Sequence, residues 1–211
     1  GRDWDYDFRM LYFTSTPDLA GEPFAPMLTF ASRDETAGLL RQQDLWIDPD
    51  GDAHALYTDR NVWHPFMRDR FFSDTRITVE LKYCRIHDHA VAERRVLARA
   101  AESGGADRTQ AAGDVAFDGP VPTNARFHVT PDGDLFALYH LSGTDGSGMY
   151  CRQLLPEASA EPVPVPLQQP MSSFFTATER LGTEPSHTVD LYGPGTEPGV
   201  MRHAQVRICG P

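Results

Sequence analysis

The chain has 211 residues, 40% of them hydrophobic, which is enough to bury an ordinary domain core and excludes a disordered or fibrous polymer. Its formal net charge of −11, from 30 acidic against 19 basic residues, repels a phosphate backbone, so nucleic acid is excluded as an expected partner. No stretch is apolar enough for a membrane span and no charged-then-apolar leader opens the chain, so no membrane span is expected.

Taken in chain order, residues 5–14 and 24–32 predict two strands. An inner strand follows at 44–49, its hairpin partner at 52–58, a third strand at 77–86 and an outer one at 90–98. The last two are joined by a turn at His87-Asp88-His89, whose spacing suits a hairpin rather than a metal site. A stretch rich in Gly, Ala, Ser and Asp (101–114) separates this group from strands within 115–168. Three more strands are expected at 174–178, 188–192 and 201–208. No segment predicts a helix; even 90–102, rich in Ala, Glu and Arg, fits a strand and linker better by position.

The most informative signal is a repeat. Residues 47–57 (Ile-Asp-Pro-Asp-Gly-Asp-Ala-His-Ala-Leu-Tyr) return 82 positions later as Val-Thr-Pro-Asp-Gly-Asp-Leu-Phe-Ala-Leu-Tyr at 129–139, with seven of eleven residues identical. Each copy is a strand, a Pro-Asp-Gly-Asp turn and a second strand ending in Tyr, which predicts a β-hairpin. A Tyr-Cys-Arg tripeptide follows each hairpin, at 83–85 and 150–152, so a third strand recurs in the same order. On the second strand Ala53, Ala55 and Tyr57 face one way, His54 and Leu56 the other, with Phe136 and Leu138 on that second face in the other copy. Both faces are largely apolar, as in a strand covered on both sides by neighbouring sheets, and His54 takes a packing position.

These features predict an all-β fold of β-propeller blades, each of four antiparallel strands. The expected blades are residues 1–42, 43–100, 113–168 and 170–211. The chain opens and closes in mid-blade, which predicts an incomplete ring with further blades elsewhere in the protein, although a small ring joined by its own end strands also fits. The three cysteines, Cys84, Cys151 and Cys209, are an odd number and are expected as small buried side chains rather than a disulfide framework.

In these motifs the chain resembles the BNR-repeat, sialidase-like propeller superfamily, whose inner strands end in a Pro-Asp-Gly turn followed by an apolar strand and an outer strand. Residues 16–24 (Thr-Pro-Asp-Leu-Ala-Gly-Glu-Pro-Phe) approximate that superfamily's Asp-box, Ser-x-Asp-x-Gly-x-Thr-Trp, with an extra residue and Phe for Trp. The resemblance implies a carbohydrate ligand without naming a reaction, a glycoside hydrolase if the chain is catalytic, and an extracytoplasmic location. It implies no cofactor.

Propeller ligands sit where inner strands begin and where second strands turn into third ones. Those positions hold Asp44 and Trp46 in one copy and Asn124, Arg126 and His128 in the other. The connection 59–76 is long and aromatic for a mere connector and carries Arg60, Asn61, Trp63, His64, Arg68 and Arg70. Its rings would stack on a sugar face while arginine forks hold a carboxylate, or they pack against a neighbouring blade with the arginines in water. Arg126 and His128 share one side of their strand, as ligand contacts or as polar groups of a wet channel. Hydrolysis needs two carboxylates facing the scissile bond, and Asp44, Asp48 and Glu179 are the candidates, Asp48 also suiting a turn. The partner is therefore expected to be a glycan or another small polar ligand, the rival being a scaffold that presents its loops to a protein.

Overall fold

The computed structural model describes residues 8–104, 115–143, 146–157, 161–176 and 184–208. Glu179, with Arg180 beside it, and Cys209 fall outside these residues. The chain divides into two units, Gly1–Asp118 and Gly119–Pro211.

In the first unit β1 (Met10–Phe13) and β2 (Leu28–Ser32) form an antiparallel pair. A second sheet runs in simple sequence order through β3 (Leu39–Ile47), β4 (Ala53–Arg60), β5 (Thr78–His87), β6 (Ala90–Glu102) and β7 (Phe117–Asp118), each antiparallel to the last. Leu11, Phe13, Leu28 and Phe30 of the pair lie against Leu40, Ala53, Ala55, Tyr57, Cys84 and Ile86 of the larger sheet. Each large side chain so buried stabilises the unit by about 1.5–3 kcal/mol, which is what holds the two sheets face to face.

The second unit repeats the plan with β8 (Val121–Val129), β9 (Leu135–Ser142), β10 (Gly148–Leu155) and β11 (Val163–Pro164) in one meander. Its other sheet is β12 (Phe175–Thr176), β13 (Thr188–Pro194) and β14 (Met201–Arg207). Phe136, Leu138 and Met149 of the first sheet meet Phe174, Val189 and Leu191 of the second unit's other sheet and its approach. The chain is thus nearly all-β, made of separate antiparallel sheets that are each open, an arrangement compatible with propeller blades. No helix among the described residues is long and apolar enough to cross a membrane.

The sequence repeat is a structural repeat. Asp48 N–H donates to the Asp52 carbonyl at 3.0 Å and Gly51 N–H to the Asp48 carbonyl at 3.0 Å; Thr130 with Asp134 and Gly133 with Thr130 make the same two bonds at 3.0 and 2.9 Å. Gly51 and Gly133 take the left-handed φ of 89° and 84° that this turn requires. The two hairpins belong to different sheets, β3–β4 and β8–β9. In both second strands the first seven residues are all buried, as expected of strands covered on both faces.

Three expectations change. The strand expected at 44–49 begins at Leu39, because Leu39 and Leu40 are buried and a bulge between Gln42 and Asp44 lets pairing with β4 continue past the irregularity. The connection 59–76 contains a helix, α1 (Pro65–Phe71), which is two turns long and so leaves no readable periodicity. His54 is more than packing. It is fully buried, with Nε2 3.1 Å from Asp48 Oδ2 and Nδ1 2.8 Å from the Tyr83 hydroxyl. Burial lowers its pKa, so the ring is neutral near pH 7; a carboxylate only accepts, hence Nε2–H donates to Asp48 and Tyr83 O–H donates to Nδ1. Asp48 Oδ1 meanwhile accepts from the Asp50 and Asp52 amides, tying the turn to the middle of the sheet.

Asp88 and His89, both at positive φ, make the β5–β6 turn, which leaves His87 free to bond Asp52 Oδ1 through Nδ1 at 2.5 Å. That bond raises the His87 pKa above its ordinary 6.5 and, with Arg85, holds Asp52 below 3.8. A raised histidine stabilises fully below its unfolded pKa and stops doing so as pH climbs through the folded value; the depressed aspartate acts from above its unfolded pKa downward. The pair therefore contributes most between about pH 4 and 6.5. Melting temperatures of wild type minus His87→Asn should shrink as pH rises from 6 to 9; a constant difference would remove this linkage.

Candidate functional site

The aromatic connection after β4 is a rigid platform. Asn61 Oδ1 accepts from the Val62 amide at 2.9 Å and the Thr78 amide at 2.8 Å, and its Nδ2 donates to the Arg76 carbonyl at 2.9 Å. The Trp63 amide donates to the Ala37 carbonyl at 3.0 Å, fixing the tryptophan to the turn that leads into β3. His64 is the residue before α1 and uses its carbonyl to accept from Met67 and Arg68, while its ring lies 4.9 Å from the Trp63 ring. Pro65 occupies the first helical turn, where its missing N–H costs nothing and its fixed φ suits the helix.

Two turns of helix are marginal alone. What holds α1 is Arg68, only 3% exposed, which pairs with Glu102 Oε1 at the end of β6 and with Asp69 at 2.7 Å. Glu102 Oε2 accepts from the Ile77 amide at 3.1 Å, and its carbonyl accepts the Arg76 guanidinium. With Arg68 anchored, α1 presents Phe66 and Phe71 at 57% and 60% exposure, and Arg70 rests 5.2 Å from the Phe71 ring. Asn61 and Arg68, expected as ligand contacts, therefore spend their polar groups inside the protein and position the others.

Arg60 and Trp63 come together as expected, and Arg41 joins them unannounced. The Arg60 guanidinium stands 5.2 Å from the Trp63 ring and 5.8 Å from the Phe117 ring, with Nε donating to the Val62 carbonyl at 3.2 Å. Arg41 stands 5.8 Å from the same indole. Burial lowers the Arg60 pKa, Glu102 opposes that, and the charge of Arg41 adds to it. Sequence reasoning missed Arg41 because the strand was expected to start after it. The available signal was the buried pair Leu39-Leu40, which extends the strand backward.

The remaining candidates are elsewhere. Asp44 sits half-buried directly after the bulge, opposite Leu56, with Oδ1 accepting from the Leu45 amide at 2.9 Å. Trp46 covers His54, ring to ring at 5.0 Å. In the second unit Asn124 Oδ1 accepts from Ser173 Oγ at 2.8 Å, and Arg126 Nη1 donates to the Ala125 carbonyl at 2.9 Å. His128 is buried with Nε2 donating to the Ser186 carbonyl at 2.6 Å, and burial lowers its pKa. That unit also holds a cavity of about 400 Å³ lined by Phe136, Cys151, Val163, Val165, Val206 and Ile208, an apolar cleft between its two sheets. Cys84 and Cys151 are free thiols pushed upward in pKa by burial, Cys151 to about 12, so neither is a nucleophile near neutral pH. No group of metal-ligating side chains occurs among the described residues.

No protein-family model matches the chain, and no curated protein matches its sequence. Among solved structures it is similar to the endo-arabinase from Bacteroides thetaiotaomicron VPI-5482, at 12% identity and a TM-score of 0.43, over 99% of this chain and 74% of that one. An overlay at that level assigns neither substrate nor reaction to this chain.

Proposed function

We propose that the chain is a saccharide-binding propeller segment whose contact surface is the Trp63–His64 platform after β4. The observation that carries this reading is a set of rings held exposed or half-exposed on a segment immobilised by Asn61 and Arg68. Phe66 and Phe71 are exposed on the same short segment as Trp63 and His64, and a pyranose presents an apolar C–H face that stacks on such rings. Because the platform is already ordered, binding need not supply the free energy of ordering it. An extracytoplasmic location, the one implied by the propeller resemblance, suits such a ligand.

Hydrolysis makes a separate demand on the carboxylates, tested apart from binding. A glycosidase acid needs a raised pKa, whereas the displaced carboxyls Asp52, Asp59, Asp190 and Glu197 all move down. Asp44 is the residue to test for any turnover, by Asp44→Asn. For binding, calorimetry against a panel of plant, animal and microbial oligosaccharides should find a ligand, and Trp63→Ala should weaken it about tenfold, the worth of one stacking contact of roughly 1.4 kcal/mol. Trp63→Ala binding the same saccharide unchanged would move the contact surface elsewhere. No binding to any saccharide would leave the exposed rings to a protein partner.

A further inference from the structure

Six arginines of the first unit each find a carboxylate: Arg33 with Asp59, Arg68 with Glu102, Arg76 with Asp118, Arg85 with Asp52, Arg95 with Glu93 and Arg99 with Glu80. In a chain carrying 30 acidic residues against 19 basic ones such pairing is easy. Arg41 and Arg60 have no carboxylate within ion-pair distance among the described residues, and they are brought to the same indole. The register explains how. Arg41 opposes Thr58 and Leu39 opposes Arg60, so the two arginines are diagonal neighbours on one face of β3–β4. Trp63 then folds over that face with its amide tied to Ala37. Two cations on one ring repel each other, and the interior bond from Arg60 uses only Nε, leaving both terminal nitrogens of its fork unspent. An oxyanion able to accept two hydrogen bonds from one fork is the chemistry that relieves the repulsion and fills the forks.

Resting on the saccharide-binding reading, we infer that the sugar carries an anionic group, a carboxylate or a sulfate, and that Arg41 and Arg60 hold it beside the Trp63 ring. The indole then serves two purposes, stacking the sugar ring and orienting the guanidiniums by cation–π contact. Affinity falls with added salt, since both forks are reachable from water.

The test follows the Trp63 indole N–H resonance while glucuronate, glucose or inorganic sulfate is titrated into the whole chain. Glucuronate and sulfate should shift it, glucose at the same concentration should not, and Arg41→Gln or Arg60→Gln should each weaken the glucuronate response about tenfold or more. Trp63→Phe identifies the resonance. Equal responses to glucose and glucuronate, or arginine variants that respond as wild type does, would overturn the anionic assignment while the saccharide reading stands. A response to sulfate but to neither sugar would keep the oxyanion site and sink the saccharide reading; no response to any of the three sinks both. Circular dichroism of the glutamine variants separates a lost contact from a lost fold.

Discussion

Replacing Asp59 by asparagine should lower the stability of the first unit by about 3 kcal/mol, near the lower end of what breaking a buried ion pair costs. Asp59 is 4% exposed and accepts from Arg33 Nε and Nη2 at 2.6 and 2.8 Å and from Lys82 Nζ at 2.6 Å. Lys82 also bonds Glu80, which reaches Arg99, so four further charges converge around one carboxylate. The amide keeps the shape but loses the charge, and one of its two ends is a donor facing donors. Arg33 and Lys82 retain some access to water, which keeps the loss from being larger. Urea unfolding followed by tryptophan fluorescence reports this unit, since all three tryptophans precede residue 64. A loss under about 1 kcal/mol would mean the cluster merely balances its own desolvation.

The same carboxylate has an acid signature. Burial by itself would raise its pKa, but the bonds from Arg33 and Lys82 outweigh burial and hold it below the ordinary 3.8. A depressed carboxylate stabilises above its unfolded pKa and ceases to do so as pH falls through the lower folded value. Wild type and Asp59→Asn should therefore converge in stability only in strong acid.

The repeat was legible because it rests on backbone chemistry written in the residues themselves: a left-handed glycine three positions into a Pro-Asp-Gly turn dictates the same hydrogen bonds at residues 48–52 and 130–134. Two-sided burial of β4 and β9 was legible for a similar reason, since apolar residues on both faces leave no side for water. What escaped were properties of register and distant partnership. The bulge at residues 42–44 decides which face Arg41 takes, and no local pattern announces a bulge. Arg68 looked like a ligand fork because its partner, Glu102, lies 34 residues onward. His54 aligned with Phe136 and so looked apolar, yet Asp48 stands where the second copy has Thr130, and Tyr83 sits opposite Leu56 where the second copy sets Cys151 opposite Leu138, giving the imidazole two partners. Alignment transfers a position's burial more safely than its polarity.

Gly38→Ala should cost about 2–3 kcal/mol and weaken saccharide binding together, because one close approach serves both fold and site. A Cβ at residue 38 would lie 2.6 Å from the Asn61 carbonyl oxygen, and nearer still to that of Arg60, so the backbone after β4 would have to move. Those two carbonyls belong to Arg60 and Asn61 themselves, whose side chains are aimed by bonds to Val62 and Thr78, and Ala37 beside the glycine accepts the Trp63 amide. Gly51→Ala supplies the contrast. Its cost is conformational, since φ is 89° and nothing lies within 4 Å of the new methyl group, and should be about 1 kcal/mol. It stands at the opposite end of the hairpin, so binding should be untouched. If Gly38→Ala is destabilised yet binds saccharide as wild type does, the strand-to-strand approach supports the sheet without setting the platform. If the two alanine variants weaken binding equally, binding follows global stability and the platform is not held by this contact.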